Sequence, residues 1–119
     1  MNTEELTLIP KYEKFIEYML QVITKLPRTE KFNIGNEFKI SMYDTLEKIL
    51  YINKVDTNKR MYYLNLIDTK LNCQRIYLRL MKNNRWIDEK KYEIAFKFLL
   101  EIGKILGGLI KIYGKNTKK

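Results

Sequence analysis

The stretch YEIAFKFLLEIGKILGGLIKIY, residues 92–113, decides the fold class. Its apolar residues recur at alternating intervals of three and four, which places them along one face of an α-helix. A long helix with one such seam is typical of a helix bundle. The seam residues are Tyr92, Ala95, Leu99, Ile102, Leu106, Leu109 and Tyr113.

An equivalent seam runs through the preceding segment, in Leu64, Ile67, Leu71, Gln74, Leu78 and Met81. Two earlier segments show the same helical spacing, and no segment alternates as a strand does. The sequence therefore predicts an all-α protein, an antiparallel up-down-up-down four-helix bundle that forms a single domain over residues 1–119. The expected helices cover about residues 10–26, 35–52, 59–82 and 89–113, followed by a basic tail at 114–119.

Helix-terminal residues suggest where these helices begin and end. Pro10 suits a first helical turn, and Pro27 is expected to end the first helix. Asp88 is a good N-cap for the last helix, for which Gly114 is the predicted C-terminal stop.

The third and fourth predicted helices have more apolar side chains than one core requires. On the third helix, these extra apolar side chains lie well over 100° around the helix axis from the seam. On the fourth helix, they lie along the flank of the seam. This arrangement favours an oligomer interface over a broad core. Gly103 and Gly107 could let another helix approach closely, although the helix could instead end at Gly107 or Gly108. The expected interface residues are Leu66, Cys73, Ile76, Tyr77, Leu80, Ile94, Phe98, Ile105, Gly103 and Gly107, with Ile112 on the same flank.

The positive charge is concentrated in the second half of the chain. Residues 1–57 hold eight Lys and Arg against nine Asp and Glu, whereas residues 58–119 hold fifteen against five. A basic half beside a near-neutral half indicates an acidic partner, either nucleic acid or an acidic protein surface, although a basic surface can also serve solubility alone.

Two groups of cations are spaced to lie on helix faces, and we expect them to bind nucleic acid or a protein partner. Rows of this kind match phosphates, with arginine offering bidentate pairing and Trp86 offering a ring for stacking. The first group is Arg75, Arg79, Lys82 and Arg85. The second is Lys97, Lys104 and Lys111, which continue a seven-residue repeat that begins at Lys90.

The composition argues against an enzyme. With no histidine, one cysteine and no glycine-rich phosphate loop, the common nucleophile–base pairs and metal-ligand sets cannot be assembled, so we expect no catalytic residue, metal or cofactor. The lone Cys73 and the absence of a leader pattern favour a cytoplasmic protein. Charged residues interrupt the most apolar stretch, 94–112, so no membrane span is expected.

Two segments carry a resemblance to a known family. LPRTEKFNIGNEF (26–38) and LIDTKLNCQRIYLRLMKNNRWIDEKKYEIAFKFLLEIGKILGGLIK (66–111) resemble the accessory variability determinant (Avd) proteins of diversity-generating retroelements. The most specific parts are the LPRTEKFNIG turn and the EIGKILGG ending. The chain is also similar to the bundle proteins encoded in ribosomal RNA intervening sequences, which form a wider group with Avd.

The resemblance implies a ring-like homopentamer of four-helix bundles. It also implies binding to the retroelement reverse transcriptase and to RNA or DNA, in support of mutagenic cDNA synthesis and retrohoming. The alternative is a self-associating structural bundle of the intervening-sequence type with no nucleic-acid role. The neighbouring gene discriminates between them, since a reverse transcriptase gene nearby favours the first and a location inside a ribosomal RNA gene favours the second.

Overall fold

The computed structural model describes residues 3–117, which are helical apart from short connections. The helices are α1 (Thr3–Thr24), α2 (Arg28–Lys31), α3 (Ile34–Tyr51), α4 (Thr57–Asn83) and α5 (Glu89–Thr117). No strand occurs in this part of the chain, so the all-α prediction is confirmed. Within the same residues, no helix combines the length and the apolarity needed to cross a membrane.

The four long helices form a bundle, as predicted, with overall dimensions of 50 × 22 × 22 Å. α1 packs against α3 and α5, and α4 packs against the same two helices from the other side. The pairs are antiparallel. The ring of Tyr18 in α1 contacts that of Phe98 in the first half of α5, while Lys11 pairs with Glu101 further along α5.

The predicted seams are the core. All six seam residues of α4 are buried, including Gln74, and so are six of the seven in α5; Tyr92 is half-buried. The seam prediction is therefore confirmed, because helical periodicity alone determines which side chains share a face.

The first helix begins earlier than predicted. α1 starts at Thr3 and contains Pro10 in its interior, so the predicted start near Pro10 is wrong. Leu8 lies upstream of the proline and is only 1% exposed. Burying a leucine contributes about 1.5–3 kcal/mol, which offsets much of the roughly 3 kcal/mol that an interior proline costs.

The last helix ends later than predicted. α5 passes through Gly107, Gly108 and Gly114 and continues to Thr117, so the predicted stop at Gly114 is wrong, as is an end at Gly107 or Gly108. No glycine among the described residues has a positive φ, so none forms a left-handed helix cap. Tyr113 is buried, and a Cβ at Gly114 would lie 3.9 Å from Met61, so contact with α4 supports this final part of α5.

A buried polar cluster joins three helices at the centre of the bundle. The Tyr12 hydroxyl of α1 donates to Gln74 Oε1 over 2.9 Å, and Gln74 Nε2 of α4 donates to Ser41 Oγ and Thr45 Oγ1 of α3 over 3.0 and 3.1 Å. Burial raises the pKa of Tyr12 above its ordinary value, so its hydroxyl stays protonated and available as a donor. Each partner therefore satisfies a group that would otherwise be buried without a hydrogen bond.

We predict that Gln74→Leu destabilises the protein by about 1–3 kcal/mol, because it leaves buried hydroxyls without their amide partner. The measurement is urea denaturation, in which the midpoint should fall at unchanged slope. Asn65→Leu, at an exposed position of the same helix, is the matched control and should stay within about 0.5 kcal/mol of wild type. Equal midpoints for the two variants would contradict a stabilising role for the cluster.

Candidate nucleic-acid and partner interface

The outer side of α5 carries a row of lysines, namely Lys90, Lys97, Lys104 and Lys111, which we call the lysine row. All four are exposed, on the side of the helix opposite its buried seam. None of them is in an ion pair within the described part of the chain. No internal acid among the described residues therefore holds one of these lysines in an ion pair.

Glu101 lies beside the row but is already neutralised. Its carboxylate pairs with Lys11 of α1, and this pairing lowers the pKa of Glu101, with smaller contributions from Lys97 and Lys104. Because α1 supplies the counter-charge, Glu101 takes little positive charge away from the lysine row. The outer side of α5 remains an electropositive strip.

Arg75 has a structural role inside the chain. Its Nη2 donates to the Leu99 carbonyl of α5 over 3.3 Å, and its Nη1 donates to Asn72 Oδ1 over 2.5 Å. A Cβ at Gly103 would lie 2.7 Å from Nη2, so the missing side chain makes room for this guanidinium. Gly103 thus allows a close approach by α4 of the same chain, whereas Gly107 faces open space.

The other predicted cations of this group differ in how free they are. Arg79 is exposed and forms no ion pair among the described residues. Lys82 is half-buried, with its ammonium 4.7 Å from the Tyr92 ring centroid and 3.6 Å from a Glu89 carboxylate oxygen. Within this predicted group, Arg79 is therefore the α4 cation that is freest to bind an external anion.

Arg85 is exposed in the α4–α5 connection and has a left-handed backbone, with φ of 61°. The Trp86 N–H donates to the Met81 carbonyl and the Arg85 N–H to the Lys82 carbonyl, a Schellman arrangement that usually places glycine where Arg85 stands. A side chain there costs about 1 kcal/mol or more. Strained backbone conformations cluster at functional positions, and this one holds an exposed guanidinium.

Trp86 contributes less exposed surface than the sequence suggested. Its side chain is half-buried against the core, so it does not offer a free ring for stacking. The connection still forms an open depression of about 450 Å³ with mixed charge, lined by Lys82, Arg85, Trp86, Ile87, Asp88, Glu89 and Lys91. Asp88 caps α5 as predicted, accepting from the Lys91 N–H over 2.8 Å.

The predicted interface residues divide into two sets. Tyr77, Phe98 and Ile105 are half-buried against the chain's own core. Tyr77 lies beside Phe38, and Phe98 lies beside Phe15 and Tyr18. Ile76, Leu80 and Ile94 are exposed, whereas Leu66 and Cys73 are half-buried. Leu66, Cys73, Ile76 and Leu80 form a line on the outer side of α4, which we call the α4 stripe, and Ile94 lies on α5.

Sequence reasoning missed several exposed apolar residues outside these sets. Ile40, Tyr43 and Leu50 lie on the outer side of α3, with about half of each side chain exposed. Their spacing of three and seven residues places them on one face of a helix, so the sequence pattern could have identified this second apolar face. Tyr51 and Tyr62 are also exposed, but they come from different helices and no sequence pattern pairs them.

No group of three or more His, Cys, Asp or Glu side chains that could hold a metal is found among the residues with described positions. The arrangement of free cations and apolar strips on helices instead suits binding.

Fold and surface together define a basic four-helix bundle. A family model described as bAvd-like matches residues 6–113, and the chain belongs to this family. No curated protein matches the chain.

We predict that Arg85→Gly unfolds at higher urea concentration than Arg85→Ala. Both variants lose the guanidinium, but only glycine relieves the left-handed backbone, so the glycine variant should be more stable by about 1 kcal/mol. Urea denaturation of both, followed by circular dichroism, measures the difference. Identical stabilities would mean that the connection carries no backbone strain.

Proposed function

We propose that this bAvd-like protein is the accessory factor of a diversity-generating retroelement. In this role it binds the reverse transcriptase and the template RNA or cDNA, and supports mutagenic retrohoming without catalysing a reaction itself. The observation that carries the proposal is the lysine row, whose members are exposed and unpaired along the described length of α5. Membership of the bAvd-like family supports the same conclusion.

The lysine row suits a polyanion better than a compact ligand. Residues seven apart on a helix are separated by about 10 Å along its axis and drift by only about 20° around it, so the row follows one side of α5. Arg79 on α4 and Arg85 in the connection add guanidinium groups that can pair with phosphate oxygens. Arg75 holds α4 against α5 and so supports this surface from within.

We predict that Lys104→Glu/Lys111→Glu weakens binding to a labelled structured RNA by at least about tenfold. Each phosphate contact contributes about 0.7–0.9 to the slope of log affinity against log salt, so the variant should also show a shallower slope by about 1.4–1.8. Fluorescence anisotropy across a salt series measures both quantities, and co-purification then tests retention of the reverse transcriptase.

The matched control is Lys14→Glu/Lys25→Glu, which makes the same change in net charge at exposed positions of α1 and of the turn that follows it. It should retain most of the wild-type affinity, because those lysines lie outside the lysine row. Equal losses in the two variants would point to net charge rather than to the row. Failure of the wild-type protein to bind RNA at low salt would overturn the nucleic-acid part of the proposal.

We further propose that the protein assembles into a ring-like homo-oligomer through the α4 stripe. Ile76 and Leu80 are 47% and 43% exposed, a large apolar area for a helix that already buries its own seam. By resemblance to Avd proteins the ring has five subunits. A ring would place several copies of the lysine row on one particle and so raise its avidity for a long polyanion.

We predict that Ile76→Glu/Leu80→Glu converts the assembly to folded monomers, because carboxylates would be desolvated in the contact. Sedimentation equilibrium gives the mass, and circular dichroism checks that helicity is kept. Ile40→Glu, at a position that is 59% exposed on α3, is the control and should keep the wild-type mass. A monomeric wild-type protein would refute the assembly.

A further inference from the structure

Three tyrosines form a continuous aromatic surface where α3 ends and α4 begins. The rings of Tyr51 and Tyr63 stack with centroids 5.2 Å apart and an angle of 22° between their planes. Tyr62 meets Tyr63 edge-on at 5.4 Å and 83°. Tyr62 is 62% exposed and Tyr51 is 41% exposed. We call this surface, Tyr51, Tyr62 and Tyr63, the tyrosine platform.

The tyrosine platform is separate from the core. None of its rings belongs to the buried cluster that holds the four helices together, and the polar cluster at Gln74 does not use them. Exposed aromatic rings that contact one another, rather than the core, provide a ready surface for another flat group.

Two free cations flank the rings. Lys59 precedes Tyr62 and Tyr63 by three and four residues on α4, a spacing that places side chains on one face. Lys54 follows Tyr51 in the connection between the helices. Both lysines are exposed, and neither is in an ion pair in residues 3–117.

The local charge distinguishes this surface from the lysine row. Glu47 and Asp56 are also exposed close to the rings, so the two lysines do not produce a strongly positive field. Lys48 adds little, because its ammonium binds Asp44 over 2.8 Å. The affinity of a ligand for this surface would therefore come from contact with the rings more than from attraction between the lysines and phosphates.

We propose that the tyrosine platform stacks the bases of a single-stranded nucleic acid, with Lys54 and Lys59 beside its phosphates. This inference rests on the proposed nucleic-acid function but assigns a second and chemically different surface. Every base has a face that can stack on an aromatic ring, so the site tolerates any sequence. Bases inside a duplex are already stacked on one another, so the platform selects single strands.

The platform adjoins the α4 stripe, because Tyr62 and Leu66 lie one turn apart on the same face of α4. From Leu66, its first residue, the stripe runs away from the platform toward Leu80. Tyr51 belongs to α3 and is outside the stripe altogether.

The test is Tyr51→Leu/Tyr62→Leu, measured by fluorescence anisotropy with two labelled oligonucleotides of equal length. One is a 12-nucleotide oligo-dT single strand, and the other is its abasic equivalent with the same phosphates. Bases gain free energy by stacking on aromatic rings and abasic sites cannot, so the wild-type protein should prefer the base-containing strand by at least about fivefold. The variant should lose this preference while binding the abasic strand as wild type does.

Two further variants make the result specific. Tyr62→Phe keeps the ring and should keep the preference. Tyr43→Leu changes an exposed tyrosine of α3 outside the platform and should behave as wild type. If the double variant fails to fold, as judged by circular dichroism, Tyr62→Leu alone replaces it, since that side chain is the most exposed of the three.

Several outcomes would overturn the proposal. A wild-type protein that binds both strands equally would have no base-stacking surface, and the tyrosines would then be assigned to contact with a protein. An equal loss for both strands in the double variant, or a change in its oligomeric mass, would show an effect on charge or assembly instead. These results are distinct from failure of the proposed function, in which the wild type binds neither strand at low salt.

Discussion

The hydrogen-bonded cluster around Gln74 constrains the rest of the bundle. An apolar seam tolerates sliding, because leucines and isoleucines fill similar spaces at neighbouring positions. A buried amide does not, since a shift of one turn would leave it without its partners and would take the Tyr12 and Ser41 hydroxyls away from the amide that they bind. The cluster therefore fixes the register of α1, α3 and α4 at one level, through Tyr12, Ser41 and Thr45. α5 contributes no side chain to the cluster, and packs through its seam and through Arg75 of α4.

The core uses only one face of each long helix, so the outer faces can carry different kinds of residues. The outer side of α5 carries unpaired lysines, whereas that of α4 carries apolar residues from Leu66 to Leu80. Asp44 on α3 pairs with Lys48 and Lys70, and these pairs lower its pKa below the usual range. Positive charge is thus neutralised at Asp44, between α3 and α4, and left free along the lysine row, so the basic strip of α5 and the apolar α4 stripe lie on different helices.

The sequence predicted the parts of this structure that depend on local spacing. Helical periodicity was enough for the seams of α4 and α5 and for the outward lysine row. It was not enough for the start of α1, because the burial of Leu8 against distant residues outweighs the local preference of Pro10. Nor could it reveal that Gly103 accommodates Arg75, or that Tyr51 stacks on Tyr63, since in each case the two residues meet only when different helices pack.

The two proposed nucleic-acid surfaces would bind through different interactions, one with phosphates and the other with bases. Phosphate binding by the lysine row releases counterions and weakens with salt, whereas ring stacking on tyrosines depends little on salt. Arg60 lies with its guanidinium 4.9 Å from the Tyr113 ring, so the start of α4 and the end of α5 are at the same end of the bundle. The lysine row ends near that end, at Lys111, and the tyrosine platform begins there. Both proposed surfaces therefore extend to the same end of the bundle.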